Sequence, residues 1–123
     1  MRNSATSFSR SGLADWLVQR VSAYILALYF VVIVGFLICS GDGLAYADWH
    51  AFMTCTAMRI FSLLALLALA AHAWVGLWTV LTDYVTERQM GAKAAVIRLF
   101  LQTGMAICIF VYVVWGIQIL WGN

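Results

Sequence analysis

His72 is the thirteenth of 23 consecutive residues, Ile60 to Thr82, that include no Asp, Glu, Lys or Arg. A helix of that length crosses about 30 Å of hydrocarbon, which puts the imidazole close to the midplane. Ionisable side chains at that depth are costly, face the interior of a bundle, and mark function by default. Two chemistries suit a neutral imidazole there. It can hydrogen-bond across to another helix, or it can coordinate a metal, haem iron foremost, because histidine is a standard axial ligand and haem fits a slot between helices. A bis-histidine haem needs a second imidazole at the same depth. The other histidine, His50, stands beside Trp49 near the opposite end of the hydrophobic stretch. A second ligand would therefore come from another chain.

The stretch that carries His72 ends in WTVLTDYVTER. Asp83 follows the histidine by eleven residues, about 16 Å of helical rise. Tyr84 is next to it. A tyrosine at a membrane boundary serves as an interface anchor. A phenol beside a carboxylate also suits a lipid-soluble headgroup with carbonyl oxygens, such as a quinone, since the O–H donates and the carboxylate relays protons. Arg20, at the start of the first apolar stretch, is expected at the same depth as Tyr84. It either snorkels to lipid phosphates or pairs with an anionic cofactor group such as a haem propionate.

The elements that must hold these residues are helices in a bilayer. The chain has 123 residues, 65% hydrophobic and 10% charged, with a mean hydropathy of +0.95. A soluble domain is far more charged. Three stretches, Val21–Ser40, Ile60–Thr82 and Leu99–Asn123, lack Asp, Glu, Lys and Arg and hold 68 of the 123 residues. None alternates with period two, and lipid-facing backbone must satisfy its own hydrogen bonds. The expectation is an all-α integral membrane protein, one domain over 1–123, with a tail over 1–15 and helices over about 16–40, 48–84 and 95–121. Gly41 and Gly43 mark the first turn and Gly91 the second connection. No breaking residue separates Leu44 from Val75, so helix two is expected to begin before the membrane.

Arg2, Arg10 and Arg20 precede or open helix one, and Arg88, Lys93 and Arg98 lie in or beside the second connection, whereas Arg59 alone serves the first. The positive-inside rule then predicts a cytoplasmic N-terminus and a periplasmic C-terminus. Trp16, Tyr84 and Trp78 fall towards the inner boundary, and Trp49, Trp115 and Trp121 towards the outer one. The net charge of +2 reflects this topology and suggests no nucleic-acid partner. The tail MRNSATSFSRSG is faintly like a transit peptide but has no clear cleavage site, and no early apolar stretch suggests a secretory signal. Cys39, Cys55 and Cys108 are too dispersed for a metal knuckle or a disulfide framework. Positions Ala65, Ala68, Gly76, Thr79 and Asp83 share a helix face with His72, a small and polar stripe that a helix or a flat cofactor can approach closely.

The run HAWVGLWTVLTDYV from His72 to Val85, with SGLADWLVQRVSAYIL earlier, resembles the small hydrophobic membrane-anchor subunit of bacterial succinate dehydrogenase, respiratory complex II. The likeness covers nearly the whole chain, and the run from His72 carries most of it. The resemblance implies that His72 is one axial ligand of haem b, with the other from a second cytochrome b anchor subunit. It implies that Arg20 lies near the haem propionates, that Tyr84 hydrogen-bonds the ubiquinone carbonyl, and that Asp83 is its neighbouring acid. The expected partners are a flavoprotein subunit and an iron–sulfur subunit, with ubiquinone as substrate and the bacterial inner membrane as location. The chain would be a non-autonomous part of the enzyme, with no catalytic residue of its own. Where the family has a short basic turn with proline after this run, here stands the longer TERQMGAKAAVIR, without proline.

Other classes remain. A structural or assembly protein with no cofactor would use His72 only to join helices. A proton-relaying transporter would place further ionisable groups within the membrane, and helices one and three have none between their ends. The anchor of a fumarate reductase would share every feature of the leading reading.

Overall fold

The computed structural model describes residues 12–122 and is all-helical over them. The tail arginines Arg2 and Arg10 lie outside the described residues. Helix α1 runs Gly12–Ser40, α2 Tyr46–Thr54, α3 Thr56–Tyr84, α4 Glu87–Met90 and α5 Ala94–Trp121. Three of these, α1, α3 and α5, are long and apolar enough to cross a membrane. The chain is a three-span membrane protein.

Short 3-10 turns at Gly41–Gly43 and Gly91–Lys93 follow α1 and α4. Gly41 (φ 62°) and Gly91 (φ 70°) take left-handed backbone, open to glycine without a Cβ clash. After Gly43, the Asp48 carboxylate accepts from the Ala45 N–H at 3.3 Å and so helps start α2.

The second long helix differs from the expected single run over 48–84. It is divided at Cys55, whose backbone is extended (φ −66°, ψ 152°). Side chains bond back to carbonyls in the last turn of α2. Thr54 Oγ1 donates to the His50 carbonyl at 2.6 Å, and Cys55 Sγ to that of Phe52 at 3.3 Å. Both bonds take up carbonyls at the end of α2. Aromatic packing then holds α2 over the end of α1. Phe52 stacks on Phe36 with ring centroids 3.9 Å apart, and Trp49 lies 6.1 Å from Phe36.

Helix α3 is the middle element. It packs on α1 along one side and on α5 along the other, while α1 and α5 touch each other little. Small residues make the α1 contact possible, with Ser62, Ala65 and Ala68 buried on α3 and Ser22 on α1. Towards its C-terminal end α3 turns from α1 to α5. There Leu81, Val85 and Ala94 form a small core backed by Ile97 and Met105. Most large apolar side chains of α1 and α5 point outward, onto lipid or partner helices.

Candidate functional site

The site lies along the α1–α3 seam, and two hydrogen bonds set its register. Tyr29 Oη and Ser62 Oγ share a bond of 2.6 Å. Ser22 Oγ and His72 Nδ1 lie 3.0 Å apart. The helices run antiparallel, so the pairs are two rungs of one ladder. The rungs are seven residues apart on α1 and ten on α3. The difference, about 4.5 Å of rise, falls within the reach of the tyrosine side chain.

His72 is half-buried and faces α1. No described residue hydrogen-bonds its Nε2. Ser22, which meets Nδ1, is only 4% exposed and also donates to the Gln19 carbonyl at 3.1 Å. One turn below, the Gln19 side chain lies against Gly76. A Cβ at Gly76 would stand 3.5 Å from Gln19 Nε2. Gln19 Oε1 is buried without a hydrogen-bond partner. Beside the histidine, the described residues thus leave one imidazole nitrogen and one amide oxygen without a hydrogen-bond partner.

Gln19 also borders a cleft of about 450 Å³ with Trp16, Arg20, Ala23 and Tyr24. The Arg20 guanidinium lies over the Trp16 ring, 5.1 Å from its centroid. Stacking on indole keeps the cation at a set place without an internal ion pair. A similar volume, about 440 Å³, opens between α3 and α5 around Leu69, Ala73, Met105 and Cys108. Its walls are apolar and it has no comparable donor set.

The stripe that contains His72 is used unevenly. Ala65, Ala68 and Gly76 meet neighbouring elements, whereas Thr79 and Asp83 are exposed. Tyr84, the last residue of α3, is 63% exposed. The Ser22–His72 and Gln19–Gly76 contacts put Arg20 level with the turn of α3 just after His72, about 15 Å of helical rise from Tyr84. The two are therefore not at the same depth, as was expected of them. Asp83 and Tyr84 make no contact with Arg20 among the described residues, and these residues do not assemble the three into one pocket. His50 is on α2, with its ring 5.6 Å from that of Tyr46. Sixteen residues of α3 separate its start from His72, about 24 Å of rise. Among the described residues no group of three or more His, Cys, Asp or Glu could hold a metal ion. A metal at His72 needs a cofactor or ligands from outside.

Ser22 and Gln19 were not singled out in the sequence. The available signal was that Ser22 and Tyr29 are hydroxyls inside an apolar span, as is Ser62 in the next.

Residues 2–113 match the family described as succinate dehydrogenase/fumarate reductase transmembrane subunit. The chain is also 37% identical over 113 residues to a succinate dehydrogenase hydrophobic membrane anchor subunit from Coxiella burnetii, covering 92% of this chain and 91% of that protein. The family match spans nearly every element described above, including both helices of the seam and the end of α3 with Asp83 and Tyr84. The chain therefore belongs to the succinate dehydrogenase/fumarate reductase transmembrane subunits, as a membrane anchor of succinate dehydrogenase.

Proposed function

We propose that this anchor holds one side of a haem b through His72 and forms part of a ubiquinone-reduction site through Tyr84 and Asp83. The haem's second axial ligand comes from a sister anchor subunit. A flavoprotein and an iron–sulfur subunit dock on the cytoplasmic side of the bacterial inner membrane, and the chain does no chemistry alone. The observation that carries this reading is the unequal use of the imidazole. Nδ1 is engaged within the chain by Ser22, and Nε2 is left to an outside partner at mid-membrane depth. A ligating histidine has this pattern, one nitrogen on the metal and the other held by a second group.

The surrounding residues fit such a group. The Gln19 amide oxygen is buried without a partner, and Arg20, held over Trp16, would provide a fixed cation for a propionate. A haem b held by His72 there would supply one-electron redox chemistry. Tyr84 would donate its phenol hydrogen to the quinone carbonyl oxygen, and Asp83 would hold or deliver a proton beside it. Both are exposed here, as residues completing a site between subunits would be. The concentration of basic residues before α1 and between α3 and α5 supports a cytoplasmic N-terminus and α3–α5 connection.

A purified complex carrying His72→Ala tests the haem assignment. The expected result is loss of the b-type reduced-minus-oxidised spectrum with retention of the flavin-bearing subunits. A normal spectrum and haem content would remove it.

One observation favours a second reading, a cofactor-free interhelical bond. The Tyr29–Ser62 pair is such a bond in the same seam. That reading predicts a colourless native complex, so an absorbance scan of the gently solubilised assembly separates the two.

A further inference from the structure

The Ser22 hydroxyl has one hydrogen and two close partners, the Gln19 carbonyl at 3.1 Å and His72 Nδ1 at 3.0 Å. A neutral imidazole also has one N–H, on either nitrogen. Only two assignments use these atoms consistently. In the first, Nδ1–H donates to Ser22 Oγ, Ser22 O–H donates to the Gln19 carbonyl, and Nε2 keeps a bare lone pair. In the second, Ser22 O–H donates to Nδ1, the Gln19 carbonyl loses its side-chain donor, and the imidazole proton sits on Nε2. Only the first leaves a nitrogen able to bind iron.

The surroundings favour the first assignment. Ser22 is 4% exposed, so water does not compete for its hydroxyl. In the second assignment an N–H would point from Nε2 towards no acceptor among the described residues, in a medium where an unpaired donor is costly. The Gln19 carbonyl has a second lone pair beyond its helical bond and can accept the serine proton. Because α1 supplies the serine and α3 the histidine, the bond also fixes the imidazole's orientation through the helix pair.

We propose that Ser22 is a positioning residue for the haem ligand. Its Oγ accepts a hydrogen bond from His72 Nδ1–H, its own O–H donates to the Gln19 carbonyl, and it so keeps Nε2 unprotonated and raises its basicity towards ferric iron. This rests on the reading of His72 as a ligand. Losing the hydroxyl weakens donation to the ferric form, so the haem midpoint potential rises and haem is retained roughly tenfold less well.

The test compares purified four-subunit complexes carrying Ser22→Thr, Ser22→Val, Ser22→Ala and His72→Ala. Thr and Val have nearly the same shape, and only Thr retains a hydroxyl. Redox titration gives the haem midpoint potential, haem-to-flavin ratio after dilution gives retention, and succinate-to-dye turnover reports assembly. The expected result is a native potential and retention for Thr, with a higher potential and weaker retention for Val and Ala. If Thr shifts the potential as much as Val, the role is steric and the proposal falls. It falls equally if Val and Ala match the native complex while His72→Ala is haem-free, an outcome that leaves the ligand reading standing. Should Val fail to assemble, the Thr and Ala complexes decide by the same readings. A full haem signal in His72→Ala overturns the ligand reading itself, and the Ser22 role with it.

Discussion

Tyr84 ends the helix that carries His72, and its hydroxyl is open to whatever covers the inner rim. If that hydroxyl donates to a quinone carbonyl, Tyr84→Phe removes one neutral hydrogen bond, about 0.5–1.5 kcal/mol. Quinone reduction should then fall by up to about tenfold, while succinate-to-dye turnover in the same preparation is unchanged. Equal quinone turnover in the two complexes would take the tyrosine out of the site. At this scale the sequence was informative about single residues and silent about pairs. His72 is conspicuous because nothing ionisable surrounds it for 23 residues. Ser22 is not, because a serine one turn inside a span is common and usually bonds back to its own helix. Its partnership with His72 depends on the rotation and offset of two helices far apart in the chain, which no local pattern encodes.

Between helices, the seam is a matter of volume. Ala68 is 7% exposed and lies on the same face as His72, one turn towards the outer side. Ala68→Leu would drive α1 away and stretch the Ser22–His72 bond. Overpacking of this kind costs about 1–3 kcal/mol. The expected outcome is a complex with a lower thermal midpoint and reduced haem content, both measured in detergent against the native complex. Gly116 on α5 should behave differently. A Cβ there meets the end of the Leu66 side chain at 2.5 Å, and that end can swing aside. Gly116→Ala should therefore leave the thermal midpoint within a few degrees. The three long helices were legible from apolar length alone, since each exceeds what a bilayer requires. The corner at Cys55 was not. Thr54 and Cys55 are neither Gly nor Pro, so no breaking residue marks the end of α2, and the packing of Phe52 and Trp49 on Phe36 that holds it apart from α3 joins distant segments.

The whole molecule is a row rather than a closed bundle, with α3 between two helices that hardly meet. A row has two broad apolar sides, which suits a membrane anchor that packs against neighbouring subunits. Orientation follows from charge. With basic residues concentrated before α1 and between α3 and α5, a reporter enzyme active only in the periplasm should be active when fused after Asn123 and inactive when fused at Met90. The reverse pattern would invert the assignment and separate Tyr84 from the cytoplasmic subunits.

The bend at Cys55 insulates the phase of α3 from the segment before it. In one unbroken helix, an added residue anywhere upstream would turn everything below it by roughly 100° and swing His72 off Ser22. With the ladder interrupted at Cys55, a residue gained or lost within α2 displaces only the short aromatic lid that this helix forms. The segment before Cys55 is thus free to vary in length while the imidazole keeps its bearing on Ser22.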